Sequence, residues 1–356
     1  MNNAFDLVVI GGGPAGSAAA ITAARAGAHV LQLERGLLPR QRVCGEFVSP
    51  ESLEILSGLI GDHELLGNSQ SISATRIFVD DEILTLPIRP SAASITRYDL
   101  DSALWQASLA NGVECRQQVQ VERIETEQRF RIKTPNESFE AKAVINATGR
   151  WSNLRAHDQR SSLPKQLGAK AHFREADPPA SVDLYFFEGG YCGVQAVARD
   201  VVNVCAVVEA SVATSLDEIV ALHPKLWRRS RGWEQIFSTV STSPLIFRKP
   251  QPVADDVFQV GDAAGFIDPF VGDGISLALR SGVMAGETLA PFLQNESSLE
   301  DVLAVYSKRY MAELVPPFRA ASQLRRLFRI PRALRGITAR AIQWTGIGER
   351  LVLATR

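Results

Sequence analysis

A glycine-rich segment near the N-terminus, Gly11-Gly-Gly-Pro-Ala-Gly16, constrains the fold of this chain more than any other feature. It follows Phe5-Asp-Leu-Val-Val-Ile10, a run typical of a strand buried on both faces of a parallel sheet. In the pattern G-x-G-x-x-G, Gly11 permits the tight turn out of the strand and Gly13 lets the backbone approach a pyrophosphate. Gly16 lets the following helix lie close to the sheet. The sequence therefore predicts a βαβ unit that binds a diphosphate at a helix N-terminus.

The second half of this unit indicates which nucleotide is bound. An alanine-rich helix from Ser17 to Ala26 is ended by Gly27, and a second buried strand then runs to Glu34. A carboxylate at the end of the second strand accepts the ribose hydroxyls of an adenosine and repels the 2′-phosphate of NADP. We predict an adenine dinucleotide other than NADP.

Two later segments favour FAD over NAD. Ala143 to Gly149 reads as a buried strand with a glycine turn, and Val257 to Asp262 reads as a strand that ends in Gly-Asp. Asp262 is then well placed to bond a ribityl hydroxyl. The N–H groups from Gly272 to Ile275 open a helix and can meet the electron-rich end of a flavin ring.

In this order the motifs resemble the group-A flavoprotein family, which contains para-hydroxybenzoate hydroxylase, the geranylgeranyl reductases and the flavin-dependent halogenases. The resemblance runs from Gly11 to about Gly286 and includes Arg97-Tyr-Asp-Leu-Asp101, with Ser152 and Arg155 after the middle strand. It implies non-covalent FAD, with NAD(P)H as a transient electron donor, and an Arg97 that contacts the flavin phosphate or ribityl chain. The predicted cofactor-binding residues are Gly11, Gly13, Pro14, Ala15, Gly16, Glu34, Arg35, Cys44, Gly45, Arg97, Ala147, Thr148, Gly149, Gly261, Asp262, Gly272, Gly274 and Ile275.

Within this family, Val43-Cys-Gly-Glu46 and the stretch from Gly261 to Gly282 are most similar to the geranylgeranyl-reductase-like branch. Of that branch's Tyr-x-Trp-x-Phe-Pro motif only Tyr191 is present, and the Trp-x-Trp-x-x-Pro segment and catalytic lysine of halogenases are not found. The resemblance implies reduction or dehydrogenation of an apolar or carrier-bound substrate at the flavin. An aromatic or polyketide monooxygenase that uses NAD(P)H and O2 is the alternative, followed by a halogenase and by a non-catalytic NAD-binding regulator.

Two residues are candidates for catalysis. The resemblance implies that Cys44 lines the substrate side of the flavin, where a thiol can donate a proton or contact substrate; a small core cysteine is the competing interpretation. Tyr191 is a candidate substrate contact, with a core aromatic as the alternative. We interpret His172 as a hydrogen-bonded strand histidine rather than a base.

The predicted fold is α/β, or α+β overall, with a Rossmann-like FAD-binding domain, an inserted antiparallel β-sheet substrate domain and a C-terminal helical segment. Asp80-Asp81 predicts a hairpin in the first part of the insertion. The predicted boundaries are 1–70, 97–165 and 251–300 for the FAD-binding domain, 71–96 and 166–250 for the substrate domain, and 301–356 for the C-terminal helices.

An apolar, lipid-like or carrier-tethered substrate is expected from the substrate-domain strands, with ordinary sheet core as the competing interpretation of the same residues. The residues expected to supply its apolar surface are Tyr185, Phe186, Phe187, Val194, Val197, Val204 and Val207.

Composition limits the remaining possibilities. Net charge is −1, so no global field attracts nucleic acid, and we expect a small-molecule partner. The four cysteines form no CxxC pair and have no histidine at ligand spacing, which favours reduced thiols in the cytoplasm and no metal site. After Pro317 the chain carries nine arginines and one acidic residue. We expect helices that cap the FAD-binding domain there, with peripheral contact to an anionic membrane as the alternative.

Overall fold

The structure is a computed structural model that describes residues 4–150, 154, 165–245, 247, 249–266 and 272–316. Ser152, Arg155 and the arginine-rich segment after Pro317 lie outside the described residues. Within the described ranges, no helix has the length and apolarity that a membrane crossing needs.

Two β-sheets and eight helices make up the described part of the chain. The strands are β1 (Ala4–Ile10), β2 (Val30–Glu34), β3 (Phe47–Val48), β4 (Gln70–Val79), β5 (Glu82–Ser94), β6 (Glu114–Gln117), β7 (Arg123–Thr126), β8 (Phe130–Lys133), β9 (Ser138–Asn146), β10 (Gln166–Arg174), β11 (Ser181–Phe187), β12 (Gly190–Ala198), β13 (Val201–Glu209), β14 (Glu234–Gln235), β15 (Val240–Thr242), β16 (Val253–Ala254) and β17 (Val257–Gln259). The helices are α1 (Pro14–Arg25), α2 (Pro50–Ile60), α3 (Glu64–Gly67), α4 (Arg97–Ala110), α5 (Leu216–Ala221), α6 (Pro224–Ser230), α7 (Gly274–Leu293) and α8 (Leu299–Glu313).

The first sheet confirms the predicted Rossmann-like unit. Its strand order is β16-β17-β9-β1-β2-β6, with β8 beside β9 and β7 beside β8. β1 pairs in parallel with both β2 and β9, and α1 connects β1 to β2. The carboxyl ends of β1, β2, β9 and β17 therefore meet at one edge, which is where open α/β sheets bind ligands.

Small residues allow α7 to pack closely on α1. A Cβ added to Gly282 would lie 2.3 Å from the carbonyl oxygen of Ala15, and one added to Gly286 would lie 2.7 Å from Cβ of Thr22. On the other side of α7, α8 contributes Tyr306, whose buried hydroxyl donates to the carbonyl oxygen of Gln259 at 2.8 Å. These contacts hold the first turn of α7 close to the glycine loop that begins α1.

The second sheet has the order β14-β10-β13-β12-β11-β4-β5-β3, with β15 also paired to β10. Its pairings are antiparallel apart from β11 with β4. The predicted hairpin is confirmed: Val79 pairs with Glu82 across Asp80-Asp81, and Asp80 has the positive φ of 52° that such a turn requires.

The two faces of this sheet differ, and three residues expected to form the substrate surface lie on the face that packs against α5 and α6. Tyr185, Val194 and Val204 pack in a core with residues of α5 and α6, on the face turned away from the first sheet. Side chains alternate along a strand, so the intervening residues face the opposite way. That inner face carries Lys170, His172, Gln195 and Asn203. They lie near the segment 35–46 between β2 and β3, called the cofactor loop here because Cys44 and Gly45 in it are predicted to bind FAD.

Candidate flavin site

The three glycines of the N-terminal loop have different surroundings. Gly11 has φ 125°, and a Cβ there would lie 2.3 Å from the carbonyl oxygen of Ala147. A Cβ on Gly16 would lie 2.0 Å from the carbonyl oxygen of Gly11. At Gly13 the nearest atom to an added Cβ is Nη2 of Arg97, at an ordinary 3.7 Å. Gly11 and Gly16 are thus required by packing, whereas the space before Gly13 is left open for a ligand.

Glu34 is held at the end of β2 by the glycine loop and the turn that follows the strand. Its carboxylate accepts the N–H of Gly12 at 2.8 Å and the N–H of Gly36 at 2.9 Å, and it pairs with Arg40. Burial opposes the charge, but these hydrogen bonds and the arginine hold the pKa of Glu34 below its usual value. The carboxylate is ionised at neutral pH, as a ribose acceptor must be.

Three arginines converge beside this loop. Burial, together with the charges of Arg40 and Arg97, lowers the pKa of Arg42 to about 10. The Nε atoms of Arg40 and Arg42 are both buried without a hydrogen-bond partner among the described residues. Partly buried arginines whose Nε atoms lack partners favour an anion between them. We infer that this cluster is a candidate place for the diphosphate of FAD; the sequence analysis identified neither Arg40 nor Arg42.

Arg97 lies between the glycine loop and Cys44. Its guanidinium forms a two-point pair with Asp101, at 2.8 and 2.7 Å. Burial opposes its charge, but Asp101 outweighs burial and raises the pKa of Arg97. Its position near Gly13 and the Cys44 thiol agrees with the predicted contact to the phosphate or ribityl chain.

The remaining predicted residues lie around the same sheet edge. Ala147 donates its N–H to the carbonyl oxygen of Ile10 at 2.8 Å, and the N–H of Thr148 donates to Asn146 at 3.1 Å, before Gly149 turns with φ 76°. Gly261 donates its N–H to Ser281 of α7 at 2.8 Å. The carboxylate of Asp262 beside it is a third exposed and lies 3.6 Å from Nε of Arg150.

The first turn of α7 faces the loop that contains Cys44 and Gly45. Gly272 has φ 77°, Gly274 begins the helix with open space at its Cα, and Ile275 shares an apolar cluster with Cys44. Pro14 and Ala15 begin α1 as buried residues.

The loop at Cys44 is fixed by the inner face of the second sheet. Nδ2 of Asn203 donates to the carbonyl oxygens of Cys44 and Gly45, at 3.0 and 2.8 Å. Oδ1 of Asn203 is buried with no hydrogen-bond partner among the described residues. Burial raises the pKa of Cys44, although Arg97 opposes this, so the side chain is a neutral thiol at neutral pH.

Two predicted site residues lie apart from this group. Arg35 is exposed after β2. Tyr191 is the second residue of β12, and its ring centroid lies 5.6 Å from that of Phe186, in a cluster with Val79 and Leu184. Four residues of strand, about 13 Å, separate it from Gln195, which lies level with Asn203. The structure does not bring Tyr191 beside Cys44.

A buried ionic group that the sequence analysis missed lies next to Cys44. The carboxylate of Glu46 is fully buried and pairs with Lys170, which is also fully buried, and with Nε2 of His172 at 2.7 Å. His172 is therefore the hydrogen-bonded strand histidine that was predicted, but its partner is a charged one in the site.

Glu34, the glycine loop and a cluster of arginines lie together at one edge of a Rossmann-like sheet. This arrangement is typical of the class of FAD-binding oxidoreductases. Two family models agree with this assignment. Residues 5–154 match pyridine nucleotide-disulphide oxidoreductase, and residues 88–266, half of the chain, match FAD dependent oxidoreductase. The chain belongs to the FAD dependent oxidoreductase family, it is an enzyme, and FAD is its cofactor.

Relatives support the predicted branch as well. Digeranylgeranylglycerophospholipid reductase 1 of Methanococcoides burtonii is 29% identical over 87% of this chain and 80% of the relative. A 1H-pyrrole-2-carbonyl-[peptidyl-carrier protein] brominase of Pseudoalteromonas luteoviolacea is 22% identical over 80% of this chain and 77% of the relative. The solved structure of the flavin-dependent brominase Bmp2 superposes with a TM-score of 0.83 at 19% identity, covering 99% of this chain and 93% of that one. That likeness confirms the fold.

Proposed function

We propose that this enzyme uses reduced FAD to saturate a carbon–carbon double bond in an apolar, lipid-like or carrier-bound substrate. The observation that carries the proposal is the neutral, partly buried thiol of Cys44, fixed by Asn203 in the cofactor loop that faces the first turn of α7. The resemblance to digeranylgeranylglycerophospholipid reductase adds to it.

The reaction needs a hydride and a proton, one for each carbon of the double bond. Reduced FAD supplies the hydride when bound. Cys44 supplies the proton from its thiol, and the resulting thiolate then regains a proton from water. NAD(P)H restores the reduced cofactor between turnovers, and the proposed FAD-binding residues keep the flavin non-covalently bound.

The inner face of the second sheet supports an apolar substrate, although of the residues expected to form the surface only Phe186 belongs to the cluster described here. Beyond the polar group near Cys44, this face continues into Leu184, Phe186 and Tyr191, which pack together with Val79. Gly193 presents no side chain between Leu184 and Cys205. An isoprenoid or acyl chain would lie along this apolar part, with its double bond at the Cys44 end.

Product analysis tests the proposal. Holoenzyme, NADPH and vesicles that contain an unsaturated polyprenyl glycerophospholipid should yield a lipid that has gained two hydrogens per double bond. The Cys44→Ala variant should lose at least about tenfold in turnover per bound flavin, as expected when a positioned acid is removed. Full turnover by Cys44→Ala would reject the thiol as proton donor, and a product that gains oxygen would instead identify a monooxygenase.

Halogenation is the second candidate, and one structural observation favours it. The sequence analysis found no catalytic lysine, yet Lys170 is buried beside the cofactor loop. Its ammonium group is closed off by Glu46 and by Gln41, whose Oε1 lies 3.1 Å away, so reduction remains the better supported function. Incubation with reduced flavin, O2, bromide and a pyrrole acceptor, followed by mass spectrometry for brominated product, distinguishes the two.

A further inference from the structure

The Glu46 carboxylate connects the second sheet to the FAD-binding domain. Oε1 accepts the backbone N–H of Arg97 at 2.8 Å and pairs with Lys170, and Oε2 bonds His172. Burial opposes its charge, but the His172 hydrogen bond and the Lys170 charge together lower the pKa of Glu46. One buried anion therefore joins β10 to the N-terminus of α4.

The backbone of Glu46 holds the thiol directly. Its N–H donates to Sγ of Cys44 at 3.3 Å, and its carbonyl oxygen accepts the N–H of Ile95 at 3.0 Å. Glu46 adopts a φ of 64°, which is uncommon for a residue with a side chain and is held here by these bonds. The same residue thus bonds the thiol through its backbone and β10 through its carboxylate.

The charged and titratable groups around Cys44 come from four elements. Arg97 of α4 and Lys170 of β10 are cationic, Glu46 of the same loop is anionic, and Cys205 of β13 is a neutral thiol because burial raises its pKa to about 12. His172 acts through Glu46. The Lys170 ammonium offsets the Glu46 anion, which would otherwise disfavour a thiolate at Cys44.

We propose that Glu46, Lys170 and His172 are positioning residues for Cys44: the carboxylate, balanced by the two side chains of β10, fixes the loop and sets how readily the thiol releases its proton. The use of this proton in turnover rests on the proposed function. Control of the thiol itself does not, so the two ideas can fail separately.

Holoenzyme labelled with 13C at cysteine Cβ tests the inference, because the chemical shift reports ionisation without reagent access. Cys44→Ser assigns the resonance. Glu46→Gln removes the anion and should lower the Cys44 titration midpoint by about one pH unit or more, and Lys170→Met should raise it by a similar amount. Glu46→Asp and Lys170→Arg should return the midpoint towards that of the wild type.

Lys142→Met is the matched control, because Lys142 pairs with Asp6 at 2.8 Å in the first sheet. It should leave the Cys44 titration unchanged. Unchanged midpoints in both Glu46→Gln and Lys170→Met, or shifts in the same direction, would overturn the inference. If Glu46→Gln does not fold, Lys170→Met and Lys170→Arg decide the question. Removal of a purely structural lysine would not raise the Cys44 titration midpoint, and restoring the positive charge with arginine would not return it.

Discussion

At the scale of single residues, the glycines of the N-terminal loop have separable roles in folding and in cofactor binding. Gly13 has φ −83° and room for a Cβ, so Gly13→Ala should leave the unfolding free energy of the apoprotein nearly unchanged. Its methyl group would occupy the approach to the diphosphate and should weaken FAD binding at least tenfold, about 1.4 kcal/mol. Urea unfolding and FAD titration measure the two quantities.

Gly11→Ala is the matched comparison at the same loop. With φ 125° and a Cβ that would lie 2.3 Å from a backbone oxygen, it should destabilise the apoprotein by about 1–3 kcal/mol. Equal FAD affinity in wild type and Gly13→Ala would show that the diphosphate does not approach this glycine.

Some residues of the candidate site could be predicted from the sequence, and others could not. The glycines and Glu34 were predictable because their spacing along one βαβ unit fixes their geometry. Arg40 and Arg42 were missed because their convergence on Arg97 depends on the loop path after β2. The alternation in β10 places Lys170 and His172 on a polar face, which normally faces solvent, and only the packing of the second sheet on the cofactor loop buries them with Glu46.

At the scale of elements, the close contact of α7 with α1 places the first turn of α7 beside the glycine loop. Gly282→Ala would bring a Cβ within 2.3 Å of the Ala15 carbonyl oxygen, so the helices must separate. We expect a loss of about 1–3 kcal/mol in unfolding free energy, as for overpacked cores, together with weaker FAD binding.

Gly58→Ala in α2 is the control for that substitution. Gly58 is exposed, and an added Cβ meets nothing within 4 Å, so alanine should stabilise the protein by about 0.4–1 kcal/mol without changing FAD affinity. Equal effects of the two glycine substitutions in urea unfolding would contradict the account of the α1–α7 contact.

The substrate sheet shows where element-level prediction reached its limit. The hairpin between β4 and β5 was predictable from Asp80-Asp81, because turn chemistry is local. Which side chains of β11 to β13 face the cofactor could not be predicted, because these strands carry apolar residues on both sides. Tyr185, Val194 and Val204 form a core with α5 and α6 instead of a substrate surface.

At the scale of the whole molecule, the buried Glu46 group makes the attachment of the second sheet to α4 dependent on pH. The pKa of Glu46 is below its ordinary 4.5 in the folded protein, so its contribution is present above that value and is lost as pH falls through the folded pKa. Glu46→Gln should lower the unfolding free energy at neutral pH by about 3–5 kcal/mol. The unfolding free energy of this variant should also change less than that of the wild type as the pH falls below the ordinary glutamate pKa.

Glu114→Gln is the control for acid stability. Glu114 pairs with Arg116 in a partly exposed ion pair whose loss should cost no more than about 1 kcal/mol. Urea unfolding between neutral and acid pH measures both variants. An acid dependence in Glu46→Gln identical to that of the wild type would show that this carboxylate does not hold the second sheet to α4.

The central claim is that the flavin passes its electrons to an apolar double bond next to Cys44. The most direct measurement mixes anaerobically reduced holoenzyme with unsaturated polyprenyl lipid and follows the visible absorbance of oxidised flavin. We predict that the absorbance returns without oxygen, with one double bond saturated per flavin oxidised, and that Cys44→Ala slows this phase while retaining FAD. Reoxidation only when oxygen is admitted, with the lipid unchanged, would contradict the account.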